Sequence, residues 1–156
     1  MQGLVRKNNV QRIQFLQDFS VGAGRVFSFF SDHNRLSEIY PAFIRRIIDA
    51  PNPVNCNDVG SSRIVIGLPV VFQETITAYI ENKYLEYKIT SVSPLKNYIG
   101  KMSFIDLGEH RSRLEYIIEF ESFIPFTGFL FQQINTKVVQ DALSILVRKF
   151  KENPNY

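Results

Sequence analysis

A long helical pattern closes this 156-residue chain, directly after a run of strand-like segments. Over residues 126–150, apolar side chains recur every three or four positions, as on one helix face. They are Phe126, Phe129, Leu130, Ile134, Val138, Ala142, Ile145 and Leu146. Over residues 60–122, apolar and polar residues alternate with a period of two, as in consecutive half-buried strands. The two patterns predict an α+β fold in which a curved antiparallel sheet wraps a continuous C-terminal helix, leaving space for a binding cavity.

The final helix also carries a second apolar stripe. Together the two stripes cover a broader arc than one contact with a sheet requires. Either the additional arc lines a cavity or a partner surface, or the sheet curves strongly enough to wrap the helix. Gln133 and Lys137, near the first stripe, are expected to offer polar contacts to a ligand. The second stripe consists of Phe131, Val139, Leu143, Val147 and Phe150.

The elements ahead of that helix are predicted as a strand, two short helices and about six strands. Residues 11–20 alternate as a strand, residues 26–30 have helical spacing, and a second short helix over 34–40 ends at Pro41. The chain length predicts a single domain over 1–156, with residues 1–10 as a loose leader. Further strands are predicted at 43–49, 62–66, 70–80, 84–91, 98–107 and 113–122.

Composition narrows the classes of function. The net charge is only +3, and the Lys and Arg residues are scattered, whereas nucleic-acid-binding proteins cluster them. Cys56 is the only cysteine, so no internal disulfide and no zinc-type spacing exist, and a reducing, cytoplasmic location is expected. No apolar run reaches the roughly 18 residues of a membrane span. We expect no cofactor, no metal and no nucleic-acid partner.

Strand alternation predicts which side chains face the hollow between sheet and helix. In the strand at 70–80, one face carries Phe72, Glu74, Ile76, Ala78 and Ile80. The full set of candidates for ligand binding is Phe15, Tyr40, Phe72, Glu74, Ile76, Tyr87, Ile89, Met102, Phe104, Tyr116, Ile118, Gln133, Ile134 and Val138.

Glu74 is the strongest polar candidate among them, because it shares an apolar face. Loss of hydration would raise the pKa of an unpaired carboxyl group in such a place. Glu74 would then anchor a ligand head group or donate a proton. Two other interpretations remain open: an inner-face salt bridge with Arg63 on the neighbouring strand, or a one-residue register difference that turns Glu74 outward.

Four segments resemble the START-domain superfamily, also called SRPBCC or birch-pollen-allergen-like. They are residues 25–32 (RVFSFFSD), 36–43 (LSEIYPAF), 60–63 (GSSR) and 125–130 (PFTGFL), and the resemblance extends over nearly the whole chain. Within that superfamily, the chain resembles the polyketide cyclase/dehydrase-like and coenzyme Q-binding-like branch. It departs from the pattern at residues 22–24, where relatives often carry Pro, and at Tyr40, where many carry Trp.

The resemblance implies a helix-grip fold that binds a hydrophobic small molecule such as a lipid, a quinone or a polyketide-like compound. One alternative is a cyclase or dehydratase that uses Glu74, Tyr87 or Tyr116 as acid/base groups. Another is a protein-interaction or chaperone module. In this fold the short helices flank the cavity opening, so His33 would be either a general base or a surface or capping residue. The aromatic segment at 123–131 is expected to pack in the core, or else to form a gate or a transient membrane contact.

Overall fold

The structure is a computed structural model that describes residues 10–67 and 69–156. Its main feature is a seven-stranded antiparallel sheet in the order β1-β7-β6-β5-β4-β3-β2. The predicted leader falls almost entirely outside the described residues. The strands are β1 (Gln11–Phe19), β2 (Phe43–Ile48), β3 (Ser62–Gly67), β4 (Val70–Ile80), β5 (Tyr84–Ile89), β6 (Leu95–Gly108) and β7 (Arg111–Ser122).

Two short helices follow β1, as the sequence predicted. Helix α1 (Ala23–Ser31) buries nearly all of its aromatic face, including Phe27, Phe29 and Phe30. A 3₁₀ helix (His33–Glu38) comes next, and the side chain of Asp32 caps it by accepting a hydrogen bond from the Asn34 N–H at 3.0 Å. This capping satisfies an amide that would otherwise lack a partner at the helix start.

One face assignment in the sequence analysis was wrong beyond Ile76. The β4–β5 pairing shifts by one residue between Ile76 and Ala78, as at a β-bulge. A bulge reverses the alternation of side chains beyond it. Tyr79 therefore turns inward and packs edge-on against Phe27, with ring centroids 5.1 Å apart, while Ile80 is exposed.

Helix α2 (Gly128–Glu152) is continuous, as predicted, and begins two residues later than expected. Phe126 has a φ of 66° and lies outside the helix. The buried positions of α2 begin near its middle, continue to its C-terminal end and are drawn from both apolar stripes: Val139, Ala142, Leu143, Leu146 and Phe150. The C-terminal half is thus anchored in the core, and the N-terminal half covers the sheet more loosely. No helix among the described residues is long and apolar enough to cross a membrane.

The prediction of core packing for the aromatic segment at 123–131 was wrong for most of its apolar residues. Their spacing predicts a shared buried face, but Phe123, Ile124 and Phe126 precede α2 and do not continue its helical repeat. Phe131 alone is partly buried against the core. Phe123, Ile124, Phe126, Phe129 and Leu130 are exposed.

Candidate functional site

A cavity of about 460 Å³ lies between the inner face of the sheet and the N-terminal half of α2. A volume of this size is typical of sites for drug-sized ligands. Its walls are mostly aliphatic and aromatic, with a few polar side chains at one end. Nine of the fourteen predicted residues line it: Tyr40, Phe72, Glu74, Tyr87, Ile89, Met102, Tyr116, Ile134 and Val138.

Four other predicted residues lie in the solid core and do not line the cavity. Phe15, Ile76, Phe104 and Ile118 are buried, as inner-face positions should be. The space beside them is filled; Phe104, for example, packs against Phe27 at 5.2 Å between ring centroids. Alternation identifies the inner face of a strand, but it does not show where along that face the packing is incomplete.

Gln133 was wrongly predicted to contact the cavity. It is exposed and faces a shallow depression on the outer side of α2. Its neighbour Ile134 does line the cavity, although half of its surface is exposed. Consecutive helix residues are about 100° apart, so only one of the two can point toward the sheet.

The polar end of the cavity is built on a buried ion pair. Arg63 and Glu74 lie opposite each other in the β3–β4 ladder, and Arg63 Nε donates to Glu74 Oε2 at 2.6 Å. The guanidinium carbon of Arg63 also lies 4.7 Å from the ring centroid of Tyr87, in a cation–π arrangement. Glu74 is therefore both a cavity-lining residue and half of the salt bridge that the sequence analysis left as an alternative.

His33 and Ser61 extend this cluster away from the cavity, and both are fully buried. Arg63 Nη1 approaches His33 Nδ1 at 3.4 Å, and His33 Nε2 lies 2.8 Å from Ser61 Oγ. Arginine can only donate, so Nδ1 must accept and Nε2 must carry the proton. His33 then donates to Ser61 and cannot remove the proton from the Ser61 hydroxyl. The pair lacks the proton arrangement of a nucleophile and its general base.

Four tyrosines surround the ion pair on the cavity side. The hydroxyl groups of Tyr87 and Tyr116 form a hydrogen bond, and Tyr98 donates to Asn135 Oδ1 on α2 at 3.4 Å. Burial raises the pKa of Tyr40, Tyr87, Tyr98 and Tyr116, so these hydroxyls keep their protons near neutral pH. The inner end of the cavity is thus rich in neutral hydrogen-bonding groups.

Gly100 makes room for one of these rings. It lies opposite Tyr87 in the β5–β6 ladder, and an added Cβ would collide with the Tyr87 ring. The absence of a side chain lets the ring lie flat over the neighbouring strand. Gly100 therefore helps to fix the position of the Tyr87 hydroxyl.

Burial also lowers the pKa of His33, from 6.5 to about 3. A lowered folded-state pKa contributes stability that is present above pH 6.5 and is lost as the pH falls, because only the unfolded chain takes up the proton. From pH 7 to pH 5 this loss should be about 2 kcal/mol. We expect His33→Gln to remove that part of the pH dependence. Urea unfolding of both proteins at pH 7, 6 and 5 measures it, and parallel stability curves would contradict the assignment.

The sequence analysis missed several residues of the site. His33 was expected at the surface or at the cavity mouth. Ser61 and Tyr98 were not considered as part of the site, and Arg63 was considered only as a partner of Glu74. Alternation does place Tyr98 on the same strand face as Met102, four residues away, so the sequence carried a signal for its inward position. No sequence signal could have placed His33 beside β3, because that contact depends on how the 3₁₀ helix packs on the sheet.

Part of the cavity wall lies beside the exposed aromatic segment. Pro94 and Leu95, at the start of β6, line the cavity together with Phe131 and Ile134 of α2. Next to them, Lys96 Nζ lies 3.9 Å from the ring centroid of the exposed Phe123. The Phe123 N–H donates to the Pro94 carbonyl at 2.9 Å, so the exposed segment begins next to this part of the wall. Transient contact of this segment with a membrane remains a prediction.

Comparison with solved structures identifies the fold, whereas the two sequence comparisons found no match. No sequence family profile matches the chain, and no curated protein matches it. A START superfamily protein from Mycobacterium smegmatis is similar in structure, with a TM-score of 0.74 at 14% identity, over 90% of this chain and 97% of the other. Protein XoxI from Bacillus cereus gives a TM-score of 0.69 at 14% identity, over 93% and 99% of the two chains.

An enzyme has the same architecture. Norcoclaurine synthase from Thalictrum flavum, in complex with dopamine and hydroxybenzaldehyde, gives a TM-score of 0.65 at 12% identity, over 96% of this chain and 94% of the other. Likeness at such low identity concerns the fold and not the chemistry. On the evidence of its sheet, its long C-terminal helix and these structural matches, the chain has a helix-grip fold, which it shares with the START superfamily protein from Mycobacterium smegmatis.

Proposed function

We propose that this protein binds a hydrophobic small molecule, such as a lipid, a quinone or a polyketide-like compound, in the cavity beneath α2. The observation that carries the proposal is the cavity itself, about 460 Å³ in volume, with largely apolar walls and polar groups gathered at one end. Each Å² of apolar ligand surface that leaves water contributes about 25 cal/mol. The few polar groups would orient the ligand.

A cyclase or dehydratase activity is supported less well by the same residues. Glu74 would be the natural acid/base group, but its carboxylate is held by Arg63. Ser61 cannot be activated by His33, because the histidine donates the hydrogen bond between them. The tyrosine hydroxyls offer hydrogen bonds, and their raised pKa values oppose ionisation. This arrangement is better suited to holding a ligand than to transferring protons.

Binding can be tested with N-phenyl-1-naphthylamine, a neutral apolar dye whose fluorescence rises in apolar surroundings. We expect saturable binding by the wild-type protein. Met102→Arg should weaken binding at least tenfold, because it places an unpaired charge in the cavity wall. Ile105→Arg is the matched control on the same strand: Ile105 is 40% exposed, whereas Met102 is 3% exposed. The control should bind the dye as the wild-type protein does.

A second blocking variant covers the case in which Met102→Arg does not fold. Val138 lines the cavity from the partly exposed side of α2, so Val138→Trp should fill the cavity with little disturbance of the sheet. Circular dichroism would verify that each variant is folded. Absence of saturable dye binding by the wild-type protein, or unchanged binding by a folded Val138→Trp variant, would contradict the proposal.

A further inference from the structure

Two polar atoms of the Arg63–Glu74 pair have no hydrogen-bond partner among residues 10–67 and 69–156. Arg63 donates hydrogen bonds from Nε to Glu74 Oε2 and from Nη1 to His33 Nδ1, and Glu74 accepts from Arg63 through Oε2. Within residues 10–67 and 69–156, the only enclosed side-chain nitrogen or oxygen without a hydrogen bond is the hydroxyl of Tyr156. Arg63 Nη2 and Glu74 Oε1, which have no hydrogen-bond partner in those ranges, must therefore be open to the cavity that both residues line.

The charges at this end of the cavity cancel. Arg63 and Glu74 are the only charged side chains among the described residues of the wall, and they form one ion pair. The histidine behind them is neutral, with its pKa lowered to about 3, and burial raises the pKa of the surrounding tyrosines and keeps them protonated.

A ligand that carried its own charge would leave that charge without a counter-ion. A carboxylate beside Arg63 would also approach Glu74, and an ammonium group beside Glu74 would approach Arg63. Burial of an unpaired charge is costly, whereas burial of a neutral polar group costs little when it is hydrogen-bonded. A hydroxyl group can do both things that the open atoms require: it can accept from Arg63 Nη2 and donate to Glu74 Oε1.

We infer that the Arg63–Glu74 pair determines ligand specificity. It favours apolar ligands whose head group is a neutral hydroxyl, as in an alcohol or a phenol, over ligands with the same apolar chain and a charged head group. The inference rests on the proposed binding function and names the ligand class for the same cavity. Its geometric basis is one open donor and one open acceptor in the same buried ion pair, with no net charge, in the wall of a largely apolar cavity.

The test uses three ligands with one body: 1-dodecanol, dodecanoate and dodecylammonium. Each would compete with bound N-phenyl-1-naphthylamine at pH 8, with dodecanol kept below its solubility limit and the two charged ligands kept below their critical micelle concentrations. We expect dodecanol to displace half of the dye at a concentration at least tenfold lower than either charged ligand. Equal or stronger displacement by dodecanoate or dodecylammonium would overturn the inference while leaving the binding function intact. Failure of the dye itself to bind would overturn both.

Variants then connect the preference to the ion pair. Glu74→Gln leaves the charge of Arg63 unbalanced, so dodecanoate should gain at least tenfold relative to dodecanol. The double variant Arg63→Met/Glu74→Leu removes both charges and keeps the wall apolar, so it should bind the dye and lose the preference for the hydroxyl head. Glu119→Gln, on the outer face of the sheet, is the control and should keep the wild-type order. An unchanged order in the double variant would overturn the inference even if Glu74→Gln does not fold.

Discussion

Replacement of Glu74 by leucine is expected to lower the free energy of unfolding by about 3–5 kcal/mol, because it leaves the charge of Arg63 buried without a partner. The side chains of Arg63 and Glu74 are only 4% and 9% exposed, so the few water molecules that the cavity admits would compensate poorly for the lost carboxylate. The Nε–Oε2 distance of 2.6 Å shows how directly the two charges are paired. Urea unfolding at pH 7 measures the difference.

Two further proteins make this prediction specific. The double variant Arg63→Met/Glu74→Leu should recover most of the lost stability, because apolar side chains of similar volume can replace a buried ion pair at little cost. Asp141→Leu breaks an exposed pair with Lys137 on α2 and should change stability little. A double variant no more stable than Glu74→Leu alone would show that the cost arises from packing and not from an unpaired charge.

Phe150→Ala is expected to lower the free energy of unfolding by about 3–5 kcal/mol, the usual cost of removing a fully buried aromatic ring. Phe150 is 1% exposed and packs edge-on against Phe19 of β1, with ring centroids 6.0 Å apart. It lies in the half of α2 that is anchored in the core. Thermal or urea unfolding measures the effect.

Phe129→Ala is the matched control on the same helix. Phe129 is 65% exposed near the N-terminus of α2, so its loss should change stability by less than about 0.5 kcal/mol. Comparable losses in the two variants would contradict the asymmetric anchoring of α2. The asymmetry matters for the proposed function, because the loosely packed half of the helix is the half that covers the cavity.

Local patterns along the chain determined much of this protein. The alternation of apolar and polar residues with a period of two placed Tyr87, Met102 and Tyr116 on the inner face of the sheet, because successive side chains of a strand point to opposite sides. The absence of Pro and Gly between Gly128 and Phe150 predicted an unbroken final helix, and α2 runs without interruption to Glu152. Because these features depend only on residues that are close in sequence, local sequence patterns were sufficient to predict them.

Only the tertiary structure decided which inner-face residues line a cavity and how its polar end is arranged. Phe104 and Met102 are equivalent in the pattern, but α1 fills the space beside Phe104 and leaves that beside Met102 open. The bulge after Ile76 reversed the face of Ile80, and the rotation of α2 exposed Gln133. The contacts among His33, Ser61 and Arg63 join separate elements. Because such contacts depend on strand register and on the packing of helix against sheet, no local spacing in the sequence could specify them.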